Sequence, residues 1–161
     1  MPFVADKFKT YDLFAKASLE DVYGSMDDKY QKETNEFGHL LLLNRGSGQF
    51  EPRVLPHEAQ ITPFLKMVKH DLNQDGYEDI IAGGNIYSTE AETPRLDFNS
   101  VVLLISDKEK GFDVKFGSEF GISLSGEAKS LEIINAKNND YLLIGINNQI
   151  PEIYKISNTK F

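Results

Sequence analysis

Residues 71–79 read Asp71-Leu72-Asn73-Gln74-Asp75-Gly76-Tyr77-Glu78-Asp79, and the apolar run Ile80-Ile81-Ala82-Gly83-Gly84 follows at once. Oxygen-bearing side chains fall at the first, third, fifth and ninth places, with glycine at the sixth. Calcium is a hard cation that takes roughly six to eight oxygen ligands, and a tight loop aims alternate side chains inward. Gly76 permits the reversal that returns Asp79 toward the ion. The expected ligands of one calcium ion (Ca2+) are therefore Asp71, Asn73, Asp75, the main-chain carbonyl of Tyr77, and Asp79. Without a cation the three carboxylates would repel one another at close range. The plain alternative is a solvated Asn/Asp/Gly turn between two strands, but ordinary turns rarely place four oxygen ligands at these offsets. An EF-hand begins with the same spacing but needs a bidentate Glu at its twelfth place and an exiting helix. Ala82 stands at that place, and the paired glycines of the apolar run suit a buried strand.

Outward from the loop the chain reads as mainly β. Strands are expected at His39–Leu43, Leu65–His70, Asp79–Gly83, Ser100–Ile105, Phe112–Phe116, Ser130–Ile134, Tyr141–Ile146 and Ile153–Ile156. Arg45-Gly46-Ser47-Gly48 reads as a hairpin turn. Residues 1–38 read instead as a helical N-terminal segment. Thr10 can cap a turn through Tyr11, Leu13, Phe14 and Ala17; Ser18 with Asp21 can cap a second that stops at Gly24. Met26–Phe37, polar with sparse aromatics, suits a surface helix.

The strands repeat. Phe50 and Phe112 lie 62 residues apart, each after an apolar run, and Asp79–Asn85 (DIIAGGN) matches Tyr141–Asn147 (YLLIGIN) at the same offset. A unit of this size built from strands and turns suggests a propeller blade or another β-array. At that offset Ile133, Asn135, Lys137 and Tyr141 replace Asp71, Asn73, Asp75 and Asp79, so the copy is expected to bind no metal.

Composition narrows the functional classes. The chain has 161 residues, 40% hydrophobic and 26% charged, enough for one globular domain. A net charge of −8 with scattered Lys and Arg argues against nucleic acid as a partner. Absence of cysteine removes disulfides, zinc-thiolate sites and thiol nucleophiles. No apolar run reaches the length of a membrane span, and the start shows no signal-peptide pattern, so any export signal is expected outside this chain. His39, His57 and His70 have no metal spacing, and no serine sits in a nucleophile elbow. Gly121 and Gly126 have the spacing of a phosphate loop, but Glu127 and Ala128 stand where Lys and Ser or Thr are needed. The connection Asn85–Asp97 is too long for a tight hairpin. Its Glu90, Glu92, Arg95 and Asp97 form a possible ligand loop for a sugar or peptide, with Arg95 gripping a carboxylate; surface ion pairs that pin the loop are the plainer reading.

The strand, the DLNQDGYED loop and the IIAGGN run together resemble the FG-GAP or VCBS repeat, the calcium-loop blade of integrin-type β-propellers. More closely, the chain resembles the C-terminal part of long VCBS-repeat proteins of Bacteroidetes. The shared series is Tyr11–Tyr23, Leu43–Phe50, Leu55–Gln60, the loop itself, Gly84–Asp97 and Ser125–Ser130. Ser106–Gly111 is a worn version of the family's Gly/Asp-rich hairpin. The resemblance implies a partial β-propeller of about two blades with an N-terminal α-helical insert. Residues 39–161 would form the blades, the calcium-loop blade at about 64–116 and a degenerate last blade at about 128–158. It implies a secreted or cell-surface protein with a non-enzymatic binding or scaffolding role and a protein or glycan ligand. The alternative is the propeller part of a polysaccharide- or lipid-processing hydrolase. An open arc of blades exposes apolar faces and a strand edge, so the remaining blades of a larger parent chain, or self-association, are expected to cover them.

Overall fold

Five consecutive apolar residues, Val101 to Ile105, are each no more than 5% exposed. A strand apolar on both faces must be covered on both, and the layout of the molecule follows from that requirement. The computed structural model describes residues 2–26, 32–108 and 111–157. The chain divides into two units, Met1–Phe37 and Gly38–Phe161.

The first unit holds three short helices, α1 (Pro2–Lys7), α2 (Tyr11–Ala15) and α3 (Leu19–Tyr23), with no buried residue in any of them. Helices this short are unstable alone, so caps and aromatic pairs carry them. Thr10 Oγ1 accepts from the Leu13 amide at 3.3 Å. Ser18 and Asp21 form a reciprocal capping box, and Gly24 ends α3 at φ +81°. Phe3 lies against Tyr23 and Phe8 against Phe14, with ring centroids 6.1 and 5.6 Å apart. The sequence reading missed α1, which Pro2 starts from the first helical position that suits it. Of the surface helix expected over Met26–Phe37, residues 27–31 lie outside the described residues, and 32–37 have no regular secondary structure. That stretch lacks the apolar stripe that would dock a helix.

The second unit is mainly β, with three antiparallel sheets among the described residues. A two-stranded ribbon joins β1 (Leu40–Gly46) to β2 (Gln49–Val54). A four-stranded meander follows: β3 (Phe64–His70), β4 (Asp79–Gly84), β5 (Val101–Ser106) and β6 (Phe112–Phe116). A three-stranded meander ends it: β7 (Ala128–Ala136), β8 (Asn139–Ile146) and β9 (Glu152–Lys155). The expected strands are all present within a few residues. β2 was not expected, because Pro52 interrupts a largely polar run; a two-stranded ribbon accepts proline at an open edge.

The strand registers repeat more closely than the sequence does. Leu42↔Pro52 in the ribbon corresponds to Leu104↔Val114 in β5–β6, and four further pairs shift by the same 62 residues. Likewise β3–β4 reappears as β7–β8, down to one irregularity: the register slips between Phe64 and Lys66, and again between Ala128 and Ser130. Here His70↔Asp79 becomes Ile134↔Tyr141, a step of 64 on one strand and 62 on the other. The connecting turn has therefore lost two residues in the copy. The expected counterparts of Asp71, Asn73 and Asp75 are thus two places off, because a single offset ignores that deletion. Ile80↔Leu104 becomes Leu142↔Tyr154, steps of 62 and 50, so the connection after β8 is twelve residues shorter than the one after β4.

β5 covers both its faces as required. Val101, Leu103 and Ile105 join Leu72 and Ile81 against Ala128, Leu131, Leu142, Ile144 and Ile146 of the three-stranded sheet. Val102 and Leu104 face the other way, onto Ala59, Leu55 and Phe64. The sheets approach closely at Gly83, where an added Cβ would lie 3.1 Å from the Ala128 Cβ and 3.2 Å from Leu131. Each large aliphatic side chain in such a core stabilises by about 1.5–3 kcal/mol.

Candidate metal centre

Residues 71–78 span the turn from β3 to β4, and the loop's own amides hold its side chains. Asp71 Oδ1 accepts from the Asp75 amide at 3.1 Å, and Oδ2 from the Gly76 amide at 2.9 Å. Asn73 Oδ1 accepts from the same Asp75 amide at 3.1 Å. Two side-chain oxygens that share one hydrogen must lie side by side, so Asp71 and Asn73 converge. Asp75 Oδ1 accepts from the Tyr77 amide at 2.9 Å, and the Asn73 side-chain amide approaches Asp75 Oδ2 at 3.3 Å. Gln74 at φ +59° and Gly76 at φ +87° supply the left-handed backbone that this curl needs.

Asp79, at the start of β4, is fully buried. Its Oδ2 accepts from the Leu72 amide at 2.9 Å and its Oδ1 from the Ser106 amide at 2.8 Å. Leu72 is itself part of the core between the sheets. The loop is therefore anchored inward at Leu72 and Asp79, while Glu78 points outward and pairs with Lys69. Lys108, beyond β5, reaches back so that its ammonium lies 3.1 Å from Asp75 Oδ2 and 5.5 Å from the centre of the Tyr77 ring. The Tyr77 amide holds the Asp75 carboxyl below the ordinary carboxylate range; Lys108 and Asn73 reinforce it, and partial burial opposes it.

The donor chemistry fits a hard cation. Each carboxylate oxygen has two lone pairs, so an oxygen held by one amide keeps a second for a metal. Asp71, Asn73 and Asp75 are already gathered. Asp79 stands apart from them: among the described residues no group of three or more His, Cys, Asp or Glu side chains is placed to hold a metal ion. Bringing Asp79 and the Tyr77 carbonyl to a common ion requires the loop to rearrange, since both Asp79 oxygens accept amides. In the copy, Lys137 and Asn138, both at positive φ, make a two-residue turn between β7 and β8. No loop of this length exists there.

The connection 85–97 is pinned by hydrogen bonds, which corrects the ion-pair expectation. Asn85, 1% exposed and at φ +73°, donates to Asp97 Oδ1 and Ser100 Oγ at 3.1 Å each and accepts from Thr62 Oγ1 at 3.0 Å. Glu127, 2% exposed, accepts from the Tyr87 amide at 2.7 Å, the Ser88 amide at 3.3 Å and the Asn147 side chain at 2.6 Å. The Tyr87 amide first, then Asn147, Ser88 and Lys129, hold the Glu127 carboxyl down to about 2 against the opposing effect of burial. Among the described residues no buried side-chain nitrogen or oxygen lacks a partner, so this network is closed. Arg95 lies over the Tyr87 ring at 5.0 Å rather than in an ion pair. Of the four proposed ligand-loop residues, Asp97 enters the network through Asn85.

Sequence reading gave no role to Asn85, Glu127 or Lys108. Asn85 had a signal, since Asn147 stands 62 residues later, and Asn147 bonds Glu127. Lys108 had none; only the folded β5–β6 turn brings it to Asp75. His70 ends β3 with Nε2 3.5 Å from Asp140 Oδ2, which ties that strand to the start of β8. His39 bonds the Ala59 carbonyl at 2.7 Å and stacks on Phe64. Comparison with protein-family models, curated proteins and solved structures gives no match to this chain.

Proposed function

We propose that residues 71–79 bind one calcium ion, and that the chain is a calcium-stiffened β-repeat module of FG-GAP/VCBS type with a binding or scaffolding role outside the cell. The observation that carries the metal reading is the sharing of one amide by Asp71 Oδ1 and Asn73 Oδ1 beside Asp75. The loop's own amides gather these oxygens, and their second lone pairs remain for a cation. Asp71, Asn73, Asp75, Asp79 and the Tyr77 carbonyl would hold the ion, which would supply positive charge and tie the β3–β4 turn together. The role is structural, because the loop is anchored into the core through Leu72.

The propeller reading is supported by topology. A four-strand antiparallel meander is the pattern of a blade; the same registers recur in β1–β2 and, with the same slip, in β7–β8. On this reading β1–β2 is the outer half of one blade, β3–β6 a whole blade and β7–β9 three strands of another. The free edge of β9 and the exposed Leu42, Phe50 and Val54 of the ribbon would then meet further blades or a second copy. Among the described residues no helix is long and apolar enough to cross a membrane.

Thermal unfolding in calcium and in chelator tests the metal. Extracellular modules of this kind bind at roughly 10⁻⁴–10⁻³ M. Calcium at about 10 mM should then add about 1.4–2.7 kcal/mol, a midpoint rise of roughly 3–10 °C for a domain of this size. Asp75→Ala should abolish the rise. Equal midpoints of the unaltered protein in calcium and chelator would defeat the reading.

A further inference from the structure

We propose that Lys108 is a tethered competitor of the calcium ion: its ammonium balances the loop carboxylates until the ion displaces it, and so sets the loop's calcium affinity. The proposal rests on the calcium reading above and deepens it.

The turn after β5 touches the loop at two points. The Ser106 amide donates to Asp79 Oδ1 at 2.8 Å, and two residues on the Lys108 ammonium stands 3.1 Å from Asp75 Oδ2. Lys108 is placed deliberately by the backbone. It lies at φ +66°, and its amide bonds Ser106 Oγ at 3.4 Å. In the register-matched ribbon the corresponding residue is Gly46, at φ +85°. A left-handed position that glycine fills in one repeat therefore carries a lysine in the other, and this lysine sits against Asp75 of the acidic loop.

Two cations cannot share Asp75 comfortably. A bound calcium would sit roughly 2.3–2.6 Å from its carboxylate oxygen, with the ammonium just beyond the same group. That separation is well inside a Debye length, so salt screens the repulsion little. The side chain has somewhere to go, because Lys108 is 53% exposed while Asp75 is 18% exposed. The ammonium can therefore swing into solvent while the carboxylate stays for the ion. The same contact helps the loop keep its fold when calcium is scarce, since Lys108 offsets part of the negative charge at Asp75.

Calcium titration of the full chain by amide NMR shifts, with melting in chelator, separates the outcomes. Lys108→Gln and Lys108→Gly should each bind calcium roughly tenfold more tightly, from the repulsion of nearby charges in a water-like dielectric. Lys108→Arg should bind as the unaltered protein does. In chelator Lys108→Gln should melt lower than the unaltered protein, and saturating calcium should close that gap. Unchanged or weaker binding by both neutral variants overturns the competitor role while leaving the metal site standing. Absence of binding by every one of these proteins overturns the metal site and the competitor with it.

Discussion

Asp79→Ala, measured in chelator, isolates what this carboxylate does for the fold apart from any metal. Asp79 is fully buried and accepts two amides, Leu72 at 2.9 Å and Ser106 at 2.8 Å. Truncation leaves two amide donors facing a methyl group. Each unsatisfied donor costs about 1–3 kcal/mol, so the expected loss is about 4 kcal/mol, a large share of the roughly 5–15 kcal/mol that holds a domain together. Asp79→Asn keeps one acceptor oxygen and should lose about half as much. Urea unfolding followed by circular dichroism gives both values, provided the slope is unchanged between variants. In temperature the Ala variant should melt roughly 8–16 °C lower. A loss under about 1 kcal/mol, against the range expected for orphaned buried donors, would refute the reasoning. It would mean that the two amides find water and that Asp79 is not the joint between the loop and the β5–β6 turn.

Two further outcomes follow from the core and the buried network. The Glu127 carboxyl titrates at about 2 in the folded chain against an ordinary 4.5, so its contribution is full above pH 4.5 and is lost as pH falls toward 2. Glu127→Gln should flatten the acid-side loss of stability in that window, and an unchanged slope would contradict the assignment. Gly83→Ala should destabilise by about 1–3 kcal/mol through overpacking, because the new methyl meets Ala128 and Leu131 at 3.1 and 3.2 Å; a neutral result would show that the two sheets part easily.

Much of this architecture is legible in the residues, for identifiable reasons. The apolar run Val101–Ile105 is strand-sized in the sequence, and Thr10, Ser18 and Gly24 announce the helix ends by their side-chain and backbone chemistry. β2 escapes notice because Pro52, Glu51 and Arg53 break the apolar pattern; its identity lies in a register shared with β6, which only pairing reveals. The loop at 71–79 is visible because its ligand spacing is local. Its neighbours Ser106 and Lys108 are not, since nearly thirty residues of chain separate them from Asp79 and only the meander closes that distance. The 85–97 connection was read from its own charges, whereas its fastenings are Thr62, Ser100 and Glu127, none of them within it.

Amide NMR of the isotopically labelled chain during a calcium titration addresses the metal site most directly. The amides of Asp75, Gly76 and Tyr77, which the loop's own oxygens accept, should move progressively and saturate with a midpoint of roughly 10⁻⁴–10⁻³ M, while Lys137 and Asn138 of the copy's turn stay still. Shifts that fail to saturate, or that spread evenly over acidic residues of both repeats, would mean that the loop gathers its oxygens around its own amides and no ion.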